Sequence, residues 1–125
     1  MAIVGVGTDI LEIDRISKIL EKNNRFLYKV FTDNERAYLE GKGLKPESAA
    51  AFWCAKEAVS KALGTGIKGF ELKDIEILHD ELGKPIIQLH NNAKLLSHKL
   101  GIGNIQLSLS HSEKYAVAFC IMETS

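Results

Sequence analysis

The residues whose types point to chemistry are two acids and a lysine: Asp9, Glu57 and Lys61. Carboxylates hold divalent cations or accept protons, and a lysine ammonium is a compact charge suited to phosphate oxygens. Glu57 lies in the apolar run AAAFWCAKEAV, where an acid costs free energy unless it is paired or holds a cation. Plainer roles compete. Lys61, one turn on, offers an i,i+4 pair worth about 0.2–0.5 kcal/mol. Asp9 ends a short apolar segment and would cap a following helix, with Glu12 completing a capping box. Spacing alone favours these structural roles and does not bring the two acids together.

Three further patterns carry possible chemistry. Gly64-Thr65-Gly66-Ile67-Lys68-Gly69 matches G-x-G-x-x-G, but it follows a helix and leads to a strand, the reverse of a dinucleotide site. A glycine-rich turn can still converge its N–H groups on a phosphate; the alternative is a helix cap and a connector. Ser108, Ser110, His111 and Ser112 form a polar knot at a strand end. Neighbouring strand residues face opposite ways, so Ser110 and His111 do not pair as nucleophile and base, and the knot is either a phosphate contact or a plain turn. Arg15, Lys18, Lys22, Arg25 and Lys29 step by three and four, which aligns them on one helix face if the helix runs that far; Asn23-Asn24 would interrupt it. This stripe is a solvated face or a docking surface for an acidic protein, with Phe26 as an apolar anchor.

The elements that must position these residues read as α+β. A β-branched strand at 3–8 precedes a helix from about Asp9, with Ile13, Ile16 and Leu20 on one face. Thr32 to Glu35 forms a capping box for a short helix. Pro46 opens the strongest helix, 47–63, apolar almost all round, and Gly64 stands where a left-handed cap belongs. Strands at 74–79 and 84–90 flank a turn at 81–83, a helix spans 92–100, and alternation at Ile105, Leu107 and Leu109 gives a strand that turns at 111–114 into YAVAFCIM.

Taken together, GVGTDILEIDRI, FTDNE (31–35), WCAKEAVSKALGTGI (53–67), DELGKP (80–85) and SLSHS (108–112) resemble the holo-acyl carrier protein synthases, the short bacterial 4′-phosphopantetheinyl transferases. The resemblance runs the length of the chain. It implies a 4′-phosphopantetheinyl transferase-like fold, a small, mainly antiparallel sheet packed around a long central helix. The implied activity is Mg²⁺-dependent transfer of phosphopantetheine from coenzyme A to a serine of apo-acyl carrier protein in fatty acid biosynthesis, releasing adenosine 3′,5′-bisphosphate, in a homotrimer with sites between subunits. By resemblance the metal acids are Asp9 and Glu57, Glu57 also being the candidate base. Phosphate contacts fall on Lys61, Gly64, Thr65, Gly66, Ser110 and His111, and carrier docking on Arg15, with Lys18, Lys22, Arg25 and Phe26 beside it. Where many members carry an arginine associated with a coenzyme A phosphate, this chain has Phe52; Cys54 stands where alanine is usual.

Composition narrows the alternatives. With 125 residues, one domain over 1–125 is expected. Sixteen basic and sixteen acidic residues give zero formal charge, which argues against nucleic acid or anionic membrane as partners. Cys54 and Cys120 lack paired spacing and read as core thiols of a reducing compartment. No signal peptide and no apolar run near the ~20 residues of a membrane span are read, so the expected compartment is the cytoplasm. Competing readings are a non-catalytic coenzyme A-binding module and a purely structural oligomer.

Overall fold

Glycines at positions 5 and 7 leave the first strand bare on the face it turns to the central helix, and the arrangement grows from that contact. The computed structural model describes residues 1–22, 24–66 and 68–125. Along the chain run β1 (Ile3–Glu12), α1 (Ile13–Lys22), α2 (Arg25–Val30), α3 (Asp33–Gly41), α4 (Pro46–Ala62), a 3₁₀ turn (Leu72–Asp74), β2 (Ile75–His79), β3 (Pro85–Leu89), α5 (Asn91–Lys99), β4 (Ile102–His111) and β5 (Tyr115–Thr124). The fold is α+β, with every strand pairing antiparallel: one sheet in the order β1-β5-β4 and a separate β2-β3 hairpin.

Helix α4 lies across the three-stranded sheet. A Cβ on Gly5 would stand 2.0 Å from the Ala62 carbonyl oxygen, and one on Gly7 would stand 1.9 Å from that of Ala58. Only bare backbone permits this approach. The helix answers with small residues, Ala55, Ala58 and Ala62, over Ala116, Ala118 and Cys120 of β5, all buried. Strand and helix run in opposite senses, so two residues of β1 match about one turn of α4. Asp9, next on the same face, therefore comes beside the turn that carries Glu57.

The structure changes the first expected helix. Extended backbone continues through Glu12, which pairs with Tyr115, so Asp9 is a mid-strand residue opposite Ala118 and caps no helix. Strand pairing outweighs the local capping signal. The basic stripe is divided as well: α1 stops at Lys22 and α2 starts at Arg25, so the five cations do not share one helix face. Asn24 is the helix-start residue of α2, whereas Asn23 lies outside the described residues. The other elements fall within one to three residues of expectation, including the Thr32–Glu35 capping box and Pro46 in the first turn of α4.

Phe52 is 2% exposed and packs among Phe31, Tyr38 and His79, with Tyr38 and His79 stacked at 4.2 Å. Two charged residues, Lys56 and Glu35, are wholly buried and paired at 2.8 Å. Burial pulls the Lys56 ammonium below its usual pKa, while Glu35, Glu76 and Asp74 oppose that shift. Among the described residues every buried side-chain nitrogen and oxygen has a hydrogen-bond partner.

The close contact makes a direct prediction. Gly7→Ala should cost about 3 kcal/mol or more, lowering Tm by roughly 10 °C, because its Cβ meets backbone that cannot yield. Gly41→Ala, with nothing within 4 Å, should be neutral or stabilising by up to about 1 kcal/mol. Thermal unfolding of the two variants checks both.

Candidate active site

The backbone register brings Asp9 and Glu57 to one cleft of about 260 Å³, walled by Ile16, Phe26 and Trp53 and edged by Arg15. Asp9 projects from β1 and Glu57 from the middle of α4. The Glu57 carboxyl is held above its ordinary pKa, first by burial and then by the charge of Asp9, with Lys61 opposing both. That repulsion means the two acids share one electrostatic environment. Lys61 does not form its ion pair with Glu57. Its Nζ lies 3.1 Å from Asp9 Oδ1 and donates to the Thr8 carbonyl at 3.0 Å, with the side chain 50% exposed. One ammonium thus stands against two carboxylates, and its exposed position leaves it accessible to an anion.

Cys54 borders the acids. Burial and then the Asp9 charge push its thiol up to about 12, so it stays protonated and is no nucleophile near neutrality. It donates to the Ala116 carbonyl at 3.4 Å.

The donor chemistry fits a hard divalent ion. Two oxygen donors line one cleft, and the repulsion that Asp9 exerts on Glu57 is one that a shared cation would relieve. Among the described residues no group of three or more His, Cys, Asp or Glu gathers as a metal cage. Two protein carboxylates with the remaining positions left to substrate and water is the coordination habit of Mg²⁺.

The other expected contacts lie elsewhere. Gly64, Thr65 and Gly66 follow α4 directly, with φ of +88° at Gly64 and +62° at Gly66. The Gly64 and Gly66 amides donate to the Lys61 and Ser60 carbonyls, closing the helix, and Thr65 Oγ1 donates to the Gly66 carbonyl. The loop sits at the electronegative end of α4, where the helix dipole does not favour an anion. Ile67 lies outside the described residues. Ser110 and His111 face opposite sides of β4, both exposed. His111 is separated from Asp9 by strand β5, roughly 10 Å across the sheet. It opens instead on a shallow cavity at the start of α4, lined by Lys45, Ser48 and Ser112 and by two acids, Glu47 and Glu113. Sequence reading passed over Lys45; a cation one residue before a helix-opening proline was the available signal.

On α1, Arg15 edges the cleft, Lys18 pairs with Asp14 at 3.1 Å and Lys22 is exposed. On α2, Arg25 is exposed, and Phe26 is half-buried and stacked on Trp53 at 5.5 Å. Phe26 is thus a wall of the cleft, not a free-standing anchor. Trp53, quoted in the sequence motif without a role, is its partner.

Comparison with known proteins places this arrangement. The model of the 4′-phosphopantetheinyl transferase superfamily matches residues 5–120. A holo-[acyl-carrier-protein] synthase of Clostridium perfringens (strain 13 / Type A) is 48% identical over 126 residues, 97% of this chain and 94% of the relative. That of Alkaliphilus oremlandii is 50% identical over 119 residues, 95% and 98% respectively. Among solved structures, a holo-(acyl-carrier-protein) synthase from Bacillus anthracis in complex with coenzyme A (3′,5′-ADP) superposes with a TM-score of 0.82 at 38% identity, covering 98% of each chain.

The coupling of the two acids is measurable without ligand. In Asp9→Asn the Glu57 pKa should fall towards its ordinary value, because one of the two causes that raise it is removed. Carboxyl NMR titration of the metal-free protein reads this directly. An unchanged Glu57 titration would mean that the acids do not sense each other.

Proposed function

The chain belongs to the 4′-phosphopantetheinyl transferase superfamily, and on that premise we propose that Asp9, Glu57 and Lys61 form its reaction centre. The activity is transfer of 4′-phosphopantetheine from coenzyme A to a serine of apo-acyl carrier protein, as in the holo-[acyl-carrier-protein] synthases it resembles. The observation that carries the assignment is the meeting of two distant carboxylates beside an exposed lysine in one cleft. We place the step in fatty acid biosynthesis and treat residues 1–125 as one domain.

Asp9 and Glu57 would hold Mg²⁺, which when bound neutralises the diphosphate and polarises the phosphorus under attack. The chain's own residues do the rest. Glu57 takes the proton of the carrier serine directly or through water. The serine oxygen bonds to the phosphorus that bears pantetheine as the bond to the bridging oxygen breaks. Adenosine 3′,5′-bisphosphate leaves with that oxygen. Lys61 turns from Asp9 to the phosphate oxygens and stabilises the charge that gathers there. The Gly64–Gly66 loop follows Lys61 directly, at the end of α4.

Two features support a trimer with shared sites. The sheet face away from α4 exposes Val6 (55%), Ile10 (63%) and Phe119 (44%), an apolar surface that suits a second copy. Lys45 and His111, with Ser110 at the adjoining strand end, stand far from the carboxylates within one chain. A neighbour's Lys45 and His111, near the electropositive start of its α4, would supply the phosphate contacts that each cleft lacks. Arg15, at the cleft edge, is placed to meet an acidic carrier surface, with Lys22 and Arg25 exposed nearby and Lys18 paired to Asp14. Among the described residues no helix is long and apolar enough to cross a membrane. Two buried free thiols, Cys54 and Cys120, suit the reducing cytoplasm.

Weighing apo-carrier protein after incubation with coenzyme A and Mg²⁺ tests the centre. Glu57→Gln and Lys61→Ala should each slow the mass gain by about 10²-fold or more, and near-normal transfer by either would remove that residue's role. In the same assay Arg15→Glu should raise the carrier KM and flatten its salt dependence. Site sharing has a separate test. Glu57→Gln and His111→Ala subunits, each impaired alone, should regain activity when mixed and reassembled. No recovery would confine the site to one chain.

A further inference from the structure

The FTDNE segment and the lysine preceding Glu57 take no part in the chemistry above, yet they hold the most deeply buried charges of the molecule. We infer that Lys56, locked by Glu35 and two backbone carbonyls, is a positioning residue that fixes the rotation of α4 and so holds Glu57 against Asp9. The inference rests on the reading of Asp9 and Glu57 as the ion-holding pair.

Lys56 Nζ has three protons and three acceptors: Glu35 Oε1 at 2.8 Å, the Leu72 carbonyl at 3.0 Å and the Ile75 carbonyl at 2.5 Å. Glu35 is equally committed. Its Oε1 also accepts from the Thr32 amide and its Oε2 from the Ile77 amide, both at 2.8 Å. Behind it, Glu76 accepts from Thr32 Oγ1 at 2.6 Å and from Asn34 at 3.3 Å, and His90 Nε2 lies 3.0 Å from its second oxygen. The ammonium is thereby tied to α3, the 3₁₀ turn and β2 at once.

Glu57 has no comparable support. Among the described residues its carboxylate makes no side-chain hydrogen bond, so the direction it takes is set by the helix that carries it. Successive residues of an α-helix are about 100° apart, and a side chain fixed at 56 therefore fixes the heading at 57. On the sheet side the Ala58 and Ala62 carbonyls rest on Gly7 and Gly5 with no room to spare. Helix α4 is gripped on two sides, with Glu57 in between. Stability alone does not call for this ion pair, since apolar residues of similar volume commonly serve as well or better.

The test uses Mn²⁺ binding in the presence of coenzyme A, with coenzyme A and Mn²⁺ alone as the blank, followed by electron paramagnetic resonance, beside steady-state kinetics. Lys56→Met, at a temperature where it is folded, should bind Mn²⁺ about tenfold or more weakly and lose kcat by a similar factor, with the carrier KM unchanged. Leu96→Ala, on α5 and outside both grip and cleft, should lower Tm yet keep wild-type Mn²⁺ affinity and kcat. If Lys56→Met does not fold, Glu35→Gln, which removes the charge and turns one of the two accepting oxygens into a donor, should shift both quantities the same way. Wild-type Mn²⁺ affinity in a folded Lys56→Met or Glu35→Gln, or equal losses in Leu96→Ala, overturns the inference. Mn²⁺ binding that is strong in wild type, lost in Glu57→Gln and intact in Lys56→Met defeats the positioning role alone. Failure of the wild type to bind Mn²⁺, or equal binding by Glu57→Gln, defeats the metal site and the positioning role together.

Discussion

The contact of two bare strand residues, Gly5 and Gly7, with two helix carbonyls is the constraint on which the rest depends. At this separation no side chain fits between β1 and α4, so helix and strand have one register. That register decides what lies next along each element. Asp9 follows Gly7 on the same strand face, and Glu57 and Lys61 flank the carbonyl of Ala58. A displacement by one residue would turn Asp9 to the opposite face of the sheet. The glycines therefore act on the site at a distance, by setting the separation and register of the two backbones, while the Lys56 anchor on the opposite flank sets the rotation of the helix.

Such a site is expensive for the fold. Two carboxylates share a small cleft, and one of them is raised in pKa by burial and by its neighbour. The structure tolerates this because the opposite flank of α4 is the reverse, a saturated polar network from Thr32 to His90 in which every buried group is partnered. Breaking such a buried pair costs about 3–5 kcal/mol, because it leaves one charge buried without a partner. The strain stands on the open side of α4 and the satisfied charges on its closed side.

The sequence disclosed most elements, and the reasons are physical. Pro46, the alanine run and Gly64 mark α4 by local rules, and Thr32 with Glu35 marks the start of α3. Local rules misled at Asp9, where a plausible capping box was overridden by pairing with β5, a partner over a hundred residues away. They did mark the break in the basic stripe, since α1 ends and α2 begins on either side of Asn23-Asn24. Spacing could not show that Lys61 would choose Asp9 over Glu57, nor that Lys56 would be buried with Glu35, since both depend on long-range packing. The family resemblance supplied the pairing of Asp9 with Glu57 that spacing withheld. It gave no account of Phe52, which is buried here in an aromatic stack.

The central claim is that Asp9 and Glu57 jointly hold one divalent ion beside the substrate diphosphate. Diffraction from crystals of the protein grown with coenzyme A and Mn²⁺, with the manganese located by its anomalous signal, tests it most directly. The account predicts a single peak roughly 2 Å from an oxygen of each carboxylate and from the diphosphate. A peak held by the diphosphate alone, or by only one of the two acids, would contradict it.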